Sequence, residues 1–306
     1  MTRQPHDQFA KQYLAELLSP LGTVEVSREV TDEVRQIDLY FAPAPTLPAE
    51  PPSLGLLSKL VSSPCLIEPF RNQPSKTEIR TCMLKLFSLQ SDLQRQARRE
   101  NRGLPETELP RLWILATSAS ATLLDSFGAK LEPNNWTQGV YFLADALKTA
   151  VVAINQLPAT PETLWLRILG KGATQQQAIN ELISLPREHP FRSNTLELIS
   201  TSRINLERKE NLDEDERELI MNLSPAYLQW REETLQQGRQ QGLQQGNVQG
   251  QRLVLENLLR VRFGSLDEEL MEVIQALLKL PPEEFTRLSL QLSREELLAR
   301  FGRSEN

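Results

Sequence analysis

Residues 34–41, Val-Arg-Gln-Ile-Asp-Leu-Tyr-Phe, and residues 65–70, Cys-Leu-Ile-Glu-Pro-Phe, are apolar runs that each carry one acid near the middle. Their length and their content of apolar and aromatic residues predict two strands. Asp38 and Glu68 would then be carboxylates inside a sheet, where an unpartnered carboxylate costs several kcal/mol or takes up a proton. The pair therefore predicts either a cation held between the two acids or ion pairs with basic residues.

These two possibilities imply different chemistry. Two carboxylates about 5 Å apart repel each other by roughly 3 kcal/mol at an effective dielectric constant of about 20, and a bound Mg²⁺ reverses the sign. In the alternative, the acids form structural salt bridges with Arg35, Arg71 or Arg80. The chain has two histidines, His6 and His189, which argues against a serine-histidine-aspartate triad and against a zinc site.

Helix and strand patterns alternate around the two acidic runs. Apolar periodicity predicts helices at 8–18, 53–60 and 123–127, and strands at 23–30, 34–41, 65–70, 110–117, 139–143 and 149–157. The order αβββαβ, with additional strands, predicts an α/β fold in which helices flank a mixed sheet. After Pro158 only helical patterns follow, so the rest is expected to be all-α.

Residues 75–102 are predicted to form a long basic helix. The segment opens with Ser75-Lys-Thr-Glu78, the pattern of a capping box, and apolar residues then recur at helical spacing. Basic residues outnumber acids here, although the whole chain has a net charge of −6. Such a face either keeps the helix solvated or contacts nucleic-acid phosphates, and the candidates for phosphate contact are Arg80, Lys85, Arg95, Arg98 and Arg99.

A glycine recurs at every fourth position between residues 238 and 250. On a helix this spacing forms one slowly drifting stripe, and four interior glycines cost roughly 4 kcal/mol relative to alanine. Close packing against a second helix would compensate, whereas the alternative is a flexible Gln/Gly linker. We favour a helix that begins at Ser224-Pro225, and this helix predicts a homo-oligomer.

Residues 253–302 predict a small helical domain. Its expected signals are a helix end at Gly264, a cap at Ser265, a start at Pro281-Pro282 and a capping box at Ser293-Arg-Glu-Glu296. The whole chain is thus expected to contain a sheet domain at 2–157, a helical extension at 158–223, a long helix or linker at 224–252 and this domain at 253–302.

The composition is that of a globular protein, with 40% hydrophobic and 24% charged residues among 306. Its first residues contain no apolar segment, so neither a signal peptide nor a membrane span is predicted. Cys65 and Cys82 belong to no paired motif, which favours a reducing compartment. We therefore expect a cytoplasmic protein.

Three of the segments together resemble a known superfamily of nucleases. They are His6-Asp7-x-Phe9-x-Lys11, Gln36-Ile37-Asp38-Leu39, and Leu66-Ile67-Glu68 with the basic helix after it. They resemble the PD-(D/E)XK nuclease superfamily, and most closely its recombination-promoting nuclease (Rpn) and transposase branch. The resemblance covers residues 2–157, and the trailing helices resemble a small domain that is often appended to such proteins.

This resemblance implies a restriction-endonuclease-like fold that hydrolyses DNA with Mg²⁺. Asp38 and Glu68 would be metal ligands and catalytic residues, and Asp7 a further acid near the metal. In that superfamily a lysine or glutamine stands two positions after the strand acid, but this chain has Phe70 there.

Phe70 can neither stabilise a hydroxide nor polarise a phosphate. A cation from Arg71, Lys76 or Arg80 would have to replace the missing residue, and the nuclease would otherwise be catalytically degenerate. The alternative function is a non-enzymatic, self-associating scaffold that uses the glycine-repeat helix.

Overall fold

The computed structural model describes the backbone of residues 5–30, 35–45 and 54–302 and the side chains of 8–28, 36–45 and 54–302. The chain forms two compact units, Met1–Trp230 and Arg231–Asn306. The first unit contains α1 (Pro5–Leu18), β1 (Gly22–Val30), β2 (Arg35–Pro43), α2 (Leu56–Leu60), β3 (Cys65–Phe70), α3 (Lys76–Arg99), β4 (Arg111–Ala116), α4 (Ala121–Ser126), β5 (Lys130–Leu131), β6 (Val140–Phe142), β7 (Thr149–Ala153), α5 (Leu164–Arg167), α6 (Ala173–Ser184) and α7 (Arg192–Glu207).

The strands form one seven-stranded mixed sheet in the order β1-β2-β3-β4-β7-β6-β5. The strands β1, β2 and β3 are antiparallel neighbours, whereas β3, β4 and β7 run parallel. The strands β6 and β5 complete the far edge in antiparallel pairing. This arrangement confirms the predicted α/β fold with a mixed sheet. The sequence analysis missed β5, because two exposed residues carry no alternating pattern.

Both faces of the sheet are covered, and alternate residues of β4 point into separate apolar cores. Trp113 and Leu115 join the core that holds α1, α2 and the helices after residue 158. Leu112 and Ile114 join the core under α3 and α4. This division follows from the two-residue period of a strand and explains why β4 is apolar throughout.

The helix α3 has the predicted start. Ser75 Oγ accepts a hydrogen bond from the Glu78 N–H at 3.2 Å, and Glu78 Oε2 accepts one from the Ser75 N–H at 2.7 Å. This confirms the capping box. The helix then buries one stripe of side chains, namely Ile79, Cys82, Leu86, Leu89 and Ala97, which fixes its rotation on the sheet.

The helices after residue 158 pack into the same compact unit as the sheet. The Tyr13 hydroxyl donates to the Trp165 carbonyl oxygen at 2.8 Å, which joins α1 to α5. Leu164, Ile179 and Leu196 belong to the core that also contains Trp113. Residues 158–223 therefore supply the cover for one face of the sheet.

The predicted helix start at Ser224-Pro225 is wrong. The helix α8 spans Glu214–Phe263 and continues through Pro225. Its start is a capping box, in which Asp213 Oδ1 accepts from the Glu216 N–H at 2.8 Å and Glu216 Oε2 accepts from the Asp213 N–H at 3.1 Å. Ser224 Oγ instead donates to the Ile220 carbonyl oxygen at 2.6 Å. Burial of Leu219, Leu223 and Ala226 holds the helix across the proline.

The second unit packs the end of α8 against α9 (Glu268–Leu277), α10 (Pro282–Gln291) and α11 (Arg294–Phe301). Gly264 ends α8 with a φ of +87°, and the Ser293–Glu296 capping box is present, as predicted. The predicted cap at Ser265 is wrong, because Asp267 Oδ1 accepts the Leu270 N–H at 3.0 Å. Within the described part of the chain, no helix is both long and apolar enough to cross a membrane.

We predict that Asp267→Ala weakens the start of α9 and that Ser265→Ala does not. Loss of an N-cap typically costs about 1 kcal/mol, so amide hydrogen exchange in the first turns of α9 should accelerate about fivefold. Hydrogen exchange with mass spectrometry on the full chain measures both variants. Equal acceleration in Ser265→Ala would contradict the cap assignment.

Candidate active site

Asp38 and Glu68 lie on neighbouring antiparallel strands. The antiparallel register pairs Leu39 with Ile67, so Asp38, one residue before Leu39, stands opposite Glu68, one residue after Ile67. The Asp38 N–H donates to Glu68 Oε1 at 3.3 Å. The two acids that the sequence analysis singled out are therefore brought together.

The partner of Glu68 is Lys85, which comes from the third turn of α3. Lys85 Nζ lies 2.7 Å from Glu68 Oε2, and the two side chains are 13% and 2% exposed. Cys82 and Leu86 are buried on either side of it along the helix, and Cys82 Sγ lies 3.8 Å from the same oxygen. The rotation of α3 that buries Cys82 and Leu86 thus also turns Lys85 toward Glu68 on the sheet.

The partner of Asp38 is Lys11 on α1. Lys11 Nζ lies 2.5 Å from Asp38 Oδ1, and the side chains are 10% and 20% exposed. The four residues Lys11, Asp38, Glu68 and Lys85 form a set with two negative and two positive charges, which we call the acid-lysine quartet.

Burial dominates the electrostatics of the quartet. It raises the pKa of Glu68 from its ordinary value near 4.5 to about 7, and the Asp38 carboxylate adds to the rise, while Lys85 opposes it. Burial, the largest single influence, would lower the pKa of Lys85, but the charge of Glu68, the hydrogen bond to it and smaller contributions from Cys82 and Asp38 together raise it above the ordinary value. Burial raises the pKa of the Cys82 thiol, with a further contribution from Glu68. At neutral pH Lys85 is therefore an ammonium, and Glu68 lies near the midpoint of its titration.

The backbone beside Asp38 is unusual. Val26 pairs with Leu39 and Arg28 with Ile37, so Ser27 stands opposite Asp38. Ser27 has a φ of +58°, in the left-handed region that residues other than glycine rarely adopt. Such conformations cost about 1–3 kcal/mol and cluster at functional sites. The strand irregularity and the two acids thus occupy the same row of the sheet.

The other residues predicted for this site lie elsewhere. Arg71 Nη1 donates to the Gly170 carbonyl oxygen at 2.8 Å, and its buried Nε and Nη2 have no hydrogen-bond partner among the described residues. Lys76 and Arg80 are exposed on α3. Asp7 lies within α1 and Arg35 within β2, but their side chains are outside the described residues.

Among the residues that the structure describes, the salt-bridge partners of the two acids are thus Lys11 and Lys85 rather than Arg71 or Arg80. Lys11 and Lys85 come from α1 and α3, which pack on opposite sides of β2 and β3. Spacing along the sequence does not predict this packing, so it did not indicate these two lysines as partners of the acids.

The phosphate-contact candidates divide into two groups. Lys85 is turned inward onto Glu68, whereas Arg80, Arg95, Arg98 and Arg99 are exposed. Arg95 forms an ion pair with Asp92 one turn away. Lys85 was expected on or near the polar side of α3. Its spacing of three residues from Cys82 and four from Leu89 indicates instead a position beside the buried stripe.

The donor set for a metal is limited to the two carboxylates. Among the described residues, no group of three or more His, Cys, Asp or Glu side chains is arranged to hold a metal ion. Two carboxylates still fit Mg²⁺, which commonly takes one or two protein carboxylates and completes its shell with water and phosphate.

Comparison of the chain with known protein families, with curated proteins and with solved structures finds no match. A functional assignment therefore rests on the geometry of the quartet.

We predict that the pH dependence of stability contains a contribution from Glu68. Its folded-state pKa of about 7 lies above the ordinary value near 4.5, so the unfolded chain releases this proton at lower pH than the folded chain does. Stability should fall as pH rises through that interval, by about 3 kcal/mol.

Urea unfolding at several pH values should show this fall in the wild type and a flatter profile in Glu68→Gln. Asp125→Asn, an exposed acid on α4, is the matched control. Parallel profiles for wild type and Glu68→Gln would contradict the assignment.

Proposed function

We propose that this protein is a Mg²⁺-dependent DNA endonuclease of the PD-(D/E)XK type, related to the recombination-promoting branch. Asp38 and Glu68 are its metal ligands. Lys85 takes the role of the lysine that the superfamily has two positions after the strand acid, where this chain has Phe70. The observation that carries the proposal is the 2.7 Å contact between Lys85 Nζ and Glu68 Oε2. A cation therefore reaches the strand acid from the following helix rather than from the strand itself.

The connectivity around the quartet supports this proposal. The chain runs α1, then three antiparallel strands, then α3 as a crossover to the parallel strand β4. This is the αβββαβ order that the resemblance implies. It positions both acids on adjacent strands, under the crossover helix that supplies Lys85.

The protonation states suit hydrolysis at neutral pH. The metal, when bound, supplies Lewis-acid stabilisation of the phosphate oxygens. The Lys85 ammonium would stabilise negative charge on the attacking or leaving oxygen, because its raised pKa keeps it protonated. Burial raises the pKa of Glu68 to about 7, and the bound metal would hold this side chain as the carboxylate that ligates it. Lys11 holds Asp38 Oδ1 in place.

The outer face of α3 supports contact with DNA. Positions 76, 80, 87 and 98 fall within about 40° of one line on a helix with 3.6 residues per turn. Lys76, Arg80 and Arg98 on this line are exposed, and Phe87 between them is 37% exposed. Phosphate contacts from this face would confer affinity without sequence preference.

We predict that Lys85→Met lowers plasmid nicking with Mg²⁺ by about a hundredfold or more, because one charge-stabilising group is lost. Lys130→Met, an exposed lysine on β5 at the far edge of the sheet, is the matched control and should retain nicking. Supercoiled plasmid, analysed on agarose gels, is the substrate.

Asp38→Asn and Glu68→Gln should abolish the activity. Nicking that survives in Lys85→Met at the wild-type rate would contradict the role of Lys85, and nicking that is absent from the folded wild type would overturn the enzymatic proposal.

The second candidate function is a self-associating scaffold built on α8, and a specific feature favours it. Residues 234–250 are exposed throughout. Leu235, Gly242, Gly246 and Leu253 fall within about 40° of one line on the helix. Added methyl groups at Gly242 and Gly246 would meet nothing within 4 Å. A polar helix with this glycine content is weak in water unless its face is covered, and a second copy of α8 fits that face.

We predict that the double substitution Gly242→Ala and Gly246→Ala raises the dissociation constant of a dimer at least tenfold, because the added methyl groups keep the two helices apart. Gln237→Ala with Gln244→Ala, on the opposite side of the helix, is the matched control. Sedimentation equilibrium measures both. A wild type that stays monomeric at the highest concentrations would contradict the scaffold function.

A further inference from the structure

A cavity of about 340 Å³ lies on the face of the sheet opposite α3. It sits where β3 and β4 begin and β6 ends, and its wall contains Trp113, Trp136 and Phe142. Lys85 and Glu68 lie on the other face, in contact with α3. The cavity is therefore separate from the acid-lysine quartet.

The aromatic wall is built by the register of three strands. Ala150 on β7 pairs with Trp113 on one side and with Phe142 on the other. This small residue leaves room for the two large rings, whose centroids are 5.8 Å apart. The Trp113 indole N–H donates to the Leu60 carbonyl oxygen at 2.8 Å, which fixes the ring.

Trp136 completes the wall from a turn. Its backbone N–H donates to the Glu132 carbonyl oxygen at 2.9 Å. Its ring centroid lies 5.4 Å from that of Trp113 and 5.1 Å from that of Phe142. Three rings thus converge on one cavity, and Trp136 is the least buried of them.

Two cations stand at the same wall. Lys59 Nζ lies 4.2 Å from the Trp136 ring centroid, and Arg111 Cζ lies 5.4 Å from that of Phe142. Arg111 forms a salt bridge of 3.7 Å with Asp145, whose side chain is 93% exposed, and Glu132 is a second acid that lines the cavity. An ion pair that is so long and so solvated contributes little, so Arg111 keeps donors for an anion.

We propose that this cavity binds a nucleobase that carries a phosphate. A purely apolar ligand would need neither cation, and a bare phosphate would need no aromatic wall. The combination fits a flat ring against Trp136 and a phosphate on Arg111 and Lys59. Ser62 also lines the cavity; its hydroxyl donates to the Lys59 carbonyl oxygen at 3.0 Å and can accept a hydrogen bond from a sugar hydroxyl. The volume lies within the range of small-molecule pockets, about 300–1,000 Å³.

The same chemistry has two sources, a free nucleoside monophosphate and the phosphorylated end of a single strand. Isothermal titration calorimetry of the full-length chain distinguishes them. The probes are adenosine monophosphate, adenosine, ribose 5-phosphate and a short single-stranded oligonucleotide with a 5′-phosphate. Adenosine monophosphate should bind at least tenfold more tightly than adenosine or ribose 5-phosphate. An oligonucleotide that binds more tightly still assigns the site to strand ends.

Variants connect the binding to this wall. Arg111→Gln should weaken the binding of adenosine monophosphate at least tenfold and leave the binding of adenosine unchanged. Trp136→Leu should weaken the binding of both. Arg102→Gln, an exposed arginine paired with Glu108, is the matched control. Tryptophan fluorescence should change on binding in the wild type and less in Trp136→Leu, and thermal unfolding checks that each variant is folded.

Two results would overturn the proposal. One is the absence of heat and of fluorescence change with adenosine monophosphate and with the oligonucleotide at millimolar concentration. The other is binding that Arg111→Gln and Trp136→Leu leave unchanged. Both results are independent of plasmid nicking, so the nuclease function and the cavity are tested separately.

Discussion

A buried carboxylate needs a counter-charge or a proton, and Glu68 imposes that requirement within the sheet. Its side chain is 2% exposed, so water cannot screen it. The rotation of α3 that buries Cys82 and Leu86 is also the rotation that brings Lys85 to Glu68. Lys11 does the same for Asp38 from α1. Ion pairs thus connect α1 to β2 and α3 to the neighbouring strand β3.

The buried Glu68–Lys85 ion pair and the aromatic cavity lie on opposite faces of the sheet, because successive side chains of a strand point to opposite faces. Ile114 and Glu68 belong to the side that α3 covers, and Trp113 belongs to the other. On the α3 side, the Glu68 carboxylate is buried against the Lys85 ammonium. On the opposite side, rings and cations surround a cavity. One sheet therefore supports two sites that do not compete for the same side chains.

Local signals predicted much of the fold, and they failed where two signals competed. The capping boxes at Ser75 and Ser293 were predicted correctly because their partners lie three residues away. Ser224-Pro225 has the pattern of a helix start, but Asp213 and a buried stripe start the helix earlier. Ser265 resembles a cap, yet Asp267 has the better-placed carboxylate.

The sequence by itself determined that Asp38 and Glu68 stand in strands and need positive charge or a proton, because an ionised acid within an apolar run is unfavourable without either. It also determined the alternation of helices and strands, through the periods of the apolar residues. Only the tertiary structure decided that Lys11 and Lys85 supply the charge and that Trp113, Trp136 and Phe142 share one wall. These partners are far apart along the chain, and only the packing of helices on the sheet brings them within contact distance.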